Sequence, residues 1–135
     1  MAADISDDTL DKILWVAVIG AGPAGYYTAE ALTNGRDDVR VDIIDRLPTP
    51  FGLIRAGVAP DHQSIKNVAR RYSATNAREN VRFVGNLSLG RDVTLKELQE
   101  LYDVVVLATG AAKDRELGLD GENLTGIVGS SAFVS

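Results

Sequence analysis

The stretch VAVIGAGPAGYYTAEAL, residues 16–32, decides how this chain is read. Apolar residues run into three glycines spaced G-x-G-x-x-G, at Gly20, Gly22 and Gly25, and helix-forming sequence follows. Strand, glycine turn and helix in that order form a dinucleotide-binding fingerprint with a mechanical basis. Gly20 permits the tight turn, Gly22 lets the main chain approach a pyrophosphate, and Gly25 lets the helix lie close on the sheet. The first amides and the positive end of the helix then face the phosphates. Pro23 has no amide to offer, but its fixed φ suits a first helical turn.

Working outward, Ile13–Gly20 is nearly continuous apolar sequence, the pattern of a strand buried on both faces of a parallel sheet. The helix is predicted from Pro23 to about Asn34, with Gly35 placed to end it. VRVDIID, residues 39–45, alternates and closes on an acid, which predicts a second strand. Asp45 stands twenty positions beyond Gly25, where a carboxylate takes ribose hydroxyls. The same charge repels a ribose phosphate, which disfavours NADP at this turn, and Arg46 is the neighbouring cation that offsets the repulsion. These features make a right-handed βαβ unit of an α/β, Rossmann-like doubly wound sheet.

A long segment rich in proline, RLPTPFGLIRAGVAPDH, follows and reads as an irregular functional loop. Asp61 is the expected N-cap of a helix whose apolar stripe is Ile65, Val68, Ala69 and Tyr72. VRFVGNLSLG predicts a third strand broken at Gly85, TLKE at residues 94–97 a capping box, and DVVVLATG at residues 103–110 a buried strand. In the expected sheet, residues 13–19 are central, with residues 39–44 on one side and 104–108 on the other. The tail after Gly110 reads as loop. Residues 1–12 read as a polar lead-in, and residues 13–135 as the domain.

Composition excludes several alternatives. A net charge of −5 opposes nucleic-acid binding, which needs a basic surface. One histidine and no cysteine leave little to hold a metal, and remove disulfide frameworks and thiol nucleophiles. No apolar run reaches the length of a membrane span. The acidic start lacks the order of a secretion signal, so a cytoplasmic setting is expected.

The glycine turn alone does not separate FAD from NAD. VIGAGPAGYYTAEAL, PTPFGLIRAGVAPDH, FVGNLSLGRDV and YDVVVLATGA together resemble the amino-terminal part of ferredoxin-NADP reductases of the adrenodoxin-reductase type. The resemblance spans about residues 13–135, and GLIRAGVAPDH is its most specific piece. It implies a flavoprotein that passes electrons from NADPH through FAD to a ferredoxin-type iron–sulfur protein. Gly20, Ala21, Gly22, Pro23, Ala24 and Gly25 would then face the FAD pyrophosphate, and Asp45 the ribose. Leu53 and Leu89 would contact flavin and adenine, and Thr109 and Gly110 would bring a strand end to the cofactor. His62 would lie near the flavin ring as a candidate catalytic donor, against the alternative of a plain helix-start residue. Two positions depart from that pattern: Asp45 stands where a longer Glu is common, and Gln63 where Pro is usual. Lys66, Arg70, Arg71, Arg78 and Arg82 are candidates for a ferredoxin-docking patch, or for an ordinary solvated face. Trp15, Tyr26 and Tyr27 read as packing residues. With one dinucleotide fingerprint, the NADPH site is expected outside these residues and the chain is expected to be an incomplete FAD domain. The alternatives are a module of a related flavoprotein, glutamate-synthase small-subunit-like, and a non-catalytic dinucleotide binder.

Overall fold

The computed structural model describes residues 12–58, 61–111 and 114–134. Apart from Lys12, the expected lead-in at residues 1–12 lies outside the described residues. The elements in chain order are β1 (Leu14–Ile19), α1 (Pro23–Thr33), β2 (Val39–Ile44), α2 (Leu53–Ala56) and α3 (Gln63–Asn76). They continue with β3 (Val81–Val84), α4 (Leu95–Leu101), β4 (Val104–Leu107) and α5 (Ser130–Val134). The four strands form one parallel sheet in the order β3-β2-β1-β4. β1 therefore lies between β2 and β4, as its apolar run predicts.

That run is continuous because both faces of the sheet carry side chains into cores. Val16, Val18, Val39, Val41 and Ile43 pack with Tyr26 and Ala29 of α1 and Tyr72 of α3. Ala17, Ile19 and Ile44 turn the other way and pack with Leu98 of α4. The second face also buries Asp42, which is 3% exposed. Arg82 donates to both of its oxygens, at 2.9 and 2.5 Å, and the Tyr102 hydroxyl donates to Oδ2 at 2.6 Å. Three donors make this buried carboxylate tolerable.

Local signals set most element ends. α1 stops at Thr33, and Gly35 adopts φ +68°, the left-handed region glycine enters without penalty. α4 opens with the expected capping box: Glu97 N donates to Thr94 Oγ1 at 3.2 Å, and Thr94 N donates to Glu97 Oε2 at 2.8 Å. On the predicted stripe of α3, Tyr72 is buried and Val68 and Ala69 are half-buried. The side chain of Ile65 lies outside the described ones.

Four expectations fail. β4 is not a buried strand: it lies at the edge of the sheet, with Val104 41% and Leu107 59% exposed, because among the described residues no strand pairs with its outer side. Asp61 is not the cap of α3. His62 holds that position without a side-chain cap bond, which leaves Asp61 one residue too early to reach the first amides. The proline segment is not wholly irregular, since it contains the single turn α2. The tail is not all loop, because it ends in α5, where Ser130 Oγ donates to Asp114 Oδ1 at 2.9 Å. Helices of one turn carry too few residues to show an apolar period. Tyr26 is packed as expected at 0% exposure, whereas Trp15 and Tyr27 are 44% and 42% exposed. Among the described residues, no helix is long and apolar enough to cross a membrane.

Burial pushes the phenols of Tyr26, Tyr72 and Tyr102 up from 10.0 to about 12. A neighbouring Asp45 adds to the rise at Tyr26, and the hydrogen bond to Asp42 adds to it at Tyr102. A phenol whose folded pKa lies above its unfolded value gives its full stabilisation below the unfolded pKa, because the unfolded chain ionises first. That stabilisation is lost as pH climbs through the folded pKa. Urea midpoints should therefore hold steady up to about pH 10 and fall steeply between about 10 and 12. Tyrosinate absorbance should rise in step with unfolding.

Candidate cofactor-binding site

The carboxyl ends of β1, β2 and β4 converge on the glycine turn. At Gly20 the chain leaves β1 at φ +114°, and a Cβ there would collide with the carbonyl oxygen of Ala108. Glycine is therefore required twice over, by the dihedral and by the close approach of β4. Thr109 follows directly, its Cα 3.1 Å from that Cβ position. At Gly25 a Cβ would strike the carbonyl oxygen of Gly20, so the first turn of α1 rests on the end of β1. Gly22 is different. A Cβ built there meets nothing within 4 Å.

Gly22 is also the N-cap of α1, with Pro23 in the first turn and no side-chain cap bond. The amides of Ala24 and Gly25 fall in the first turn, where no intrahelical acceptor exists. They point from the positive end of an 11-residue helix. Ala21 is buried, and its amide is already engaged, donating to Asp45 Oδ2 at 2.7 Å. Asp45 Oδ1 accepts from Leu47 N at 2.9 Å. The carboxylate thus ties the turn after β1 to the loop after β2. Each oxygen keeps a second lone pair for an outside donor.

The structure brings most of the candidate residues to this edge of the sheet. Gly20, Ala21, Gly22, Pro23, Ala24 and Gly25 form the turn, Asp45 closes it, and Thr109 abuts it with Gly110 next in chain. Arg46 is exposed beside Asp45, and Leu53 opens α2 at 62% exposure. Leu89 is spent partly on packing: it bridges to Val93 and lies against the core of Ile44 and Leu98. His62 sits at the start of α3 with its ring 62% exposed, and its Nδ1 is 3.6 Å from Asp61 Oδ1.

The candidate basic patch is largely committed within the fold. Arg71 pairs with Glu30 at 2.7 Å, Arg78 donates to Thr33 Oγ1 at 2.7 Å, and Arg82 belongs to Asp42. Arg70 is exposed, and the side chain of Lys66 lies outside the described ones. Sequence reasoning missed Phe51 and Gly52. Phe51 N donates to Ala21 O at 2.9 Å, and a Cβ on Gly52 would lie 3.2 Å from Gly22 Cα, so the proline segment presses on the turn. The run Pro-Phe-Gly was the only signal for that contact.

The two amides held by Asp45 predict a structural effect separate from any ligand. Asp45→Ala should lower the unfolding free energy by about 1–3 kcal/mol, the size of charge-assisted hydrogen bonds. Urea denaturation of the unliganded protein checks this, and an unchanged midpoint would show that the carboxylate does not brace the turn.

Comparison with known proteins matches these features. The family model described as pyridine nucleotide-disulphide oxidoreductase matches residues 15–132. The mitochondrial NADPH:adrenodoxin oxidoreductase of Arabidopsis thaliana is 50% identical over 121 residues, covering 90% of this chain and 25% of that protein. Its Homo sapiens counterpart is 45% identical over 126 residues, covering 93% and 26%. The structure of Mycobacterium tuberculosis FprA in complex with NADPH superposes with a TM-score of 0.82 at 38% identity, covering 91% of this chain and 28% of that one. The chain thus spans about a quarter of the length of these relatives. No cysteine occurs in its 135 residues, so the thiol chemistry in the family's name is not carried by them. On the strand, glycine turn and helix, and on the match over residues 15–132, the chain belongs to the pyridine nucleotide-disulphide oxidoreductase family.

Proposed function

We propose that residues 13–135 are the amino-terminal portion of an FAD-binding domain. The parent activity is that of an NADPH-dependent reductase delivering electrons to a ferredoxin-type iron–sulfur protein. The single observation that carries the reading is the open space at Gly22. Gly20 and Gly25 are glycine because backbone leaves no room, whereas Gly22 has room on the unliganded protein and still lacks a side chain. A ligand whose phosphates approach the main chain accounts for that choice.

On this reading the residues take the following roles. Gly22 and the first-turn amides of Ala24 and Gly25 receive the pyrophosphate, and the helix end favours its charge. Ala21 contributes position rather than a donor, since its amide is given to Asp45. The free lone pairs of Asp45 accept the ribose hydroxyls, and Arg46 at the rim offsets the local negative charge. Leu53, Leu89, Thr109 and Gly110 line the approach to the rings. His62, exposed at the start of α3, is the candidate donor toward the flavin. FAD bound here would supply the step from paired hydride electrons to single electrons. NADPH requires a second nucleotide site, which this reading places on residues outside the chain, since these residues carry one fingerprint. The match to NADPH:adrenodoxin oxidoreductases and to FprA supports the electron donor and the class of acceptor.

The location proposed is cytoplasmic, as the sequence reading expects and with the absence of cysteine in weak agreement, whereas the names of the relatives are mitochondrial. Fractionation of cells carrying the tagged native protein decides between them.

Two glycine variants test the cofactor reading. Gly22→Ala should leave the urea midpoint unchanged and lower flavin retention on gel filtration by at least about tenfold in affinity. Gly25→Ala should lower the midpoint itself, because its Cβ has no space. A protein that never retains flavin, with NADPH-dependent dye reduction absent, would leave a non-catalytic nucleotide binder. Equal flavin retention in Gly22→Ala and wild type would remove the assignment of the turn.

A further inference from the structure

Phe51 adopts φ +87°, in the left-handed region that a bulky side chain rarely enters. A residue held there is strained and persists only where its surroundings over-determine it. At Phe51 those surroundings are rings and one cation. Tyr26 meets it edge-on with centroids 5.1 Å apart, and Tyr72 lies tilted at 6.0 Å. Tyr26 and Tyr72 are themselves stacked at 5.1 Å and almost fully buried. The Tyr26 hydroxyl is fixed by donating to Asn76 Oδ1 at 3.1 Å. On the outer side, Arg55 places its guanidinium 5.6 Å from the Phe51 centroid and donates from Nε to Pro50 O at 3.1 Å.

The backbone conformation so imposed is what carries the proline segment onto the turn. Phe51 N reaches Ala21 O, and Gly52 comes against Gly22. The ring that is held belongs to the proline segment, while the rings that hold it come from α1 and α3. The ring and Ile54 pack half-buried at the margin of the core, and the strands pair with one another without the proline segment, so core packing accounts for the place of the ring but not for the left-handed backbone at residue 51. The place that gains is the main chain around Ala21 and Gly22.

We propose that Phe51 is a positioning residue for the nucleotide site: Tyr26, Tyr72 and Arg55 hold its ring, and its backbone presets the mouth of the glycine turn. This rests on the cofactor reading above. Preorganisation acts on binding because a segment already ordered loses no further freedom when ligand arrives. Helix α3, remote in sequence, is thereby coupled to the turn through Tyr72.

The test is flavin release from the flavin-loaded full-length protein, followed by flavin fluorescence on dilution, with circular dichroism of each apoprotein alongside. Phe51→Ala should release flavin roughly tenfold faster than wild type. Phe51→Tyr, which keeps the ring, should restore the wild-type rate. Arg55 is exposed, so Arg55→Met leaves the core intact and should speed release in the same direction while the circular dichroism is unchanged. Wild-type release rates in both Phe51→Ala and Arg55→Met would overturn the inference, as would fast release by Phe51→Tyr. Wild-type protein that holds no flavin would overturn the cofactor reading and this inference together, so the two failures are distinguishable.

Discussion

The contact on which everything else depends is the seating of Gly25 on the carbonyl of Gly20. It sets the distance between α1 and the sheet, and so determines whether Tyr26 and Ala29 reach Val16 and Val18. It also aims the helix axis at the turn. A single methyl group at residue 25 would move the helix outward, disturbing at once the core packing and the placement of the first-turn amides. Fold and site share one constraint here, which is why the turn is the most informative part of the chain.

Legibility from sequence follows from how local each cause is. The β1-α1-β2 unit was readable because glycine spacing, Pro23 and the apolar runs act within a few residues of one another. The capping box at Thr94 and Glu97 was readable for the same reason. Asp45 was found, but only its position. Its bonds to Ala21 and Leu47 depend on how two loops meet, and no spacing rule encodes that. The cage around Phe51 joins residues from three separate segments: Tyr26 and Tyr72 looked like ordinary packing on their own, and Phe51 drew no reading. Likewise, Arg71, Arg78 and Arg82 looked like a patch because their partners, Glu30, Thr33 and Asp42, lie about forty positions away.

The division of labour among the glycines separates structural need from functional need. Where backbone crowds a position, glycine says little about ligands. Open space at Gly35, Gly90 or Gly110 is explained by a positive φ, whereas Gly22 has open space and a negative φ and so lacks either structural reason. Asp45 braces the turn by accepting one amide on each oxygen, which leaves each oxygen a second lone pair. An acid shorter than glutamate lies close to the main chain it braces.

The buried Asp42, with Arg82 and Tyr102, has a consequence for how the sheet assembles. Asp42 lies opposite Arg82 in the register of β2 and β3. Sliding β3 by one residue would rotate Arg82 to the opposite face and set an apolar side chain, Val81 or Phe83, against an unneutralised carboxylate. Apolar residues alone would penalise such a slip less, because residues 81, 83 and 84 are all apolar and an apolar side chain would still face the core. The ion pair acts as a key that only one alignment fits. Its value lies less in added stability, which a hydrophobic replacement would match, than in excluding misaligned sheets while the chain collapses.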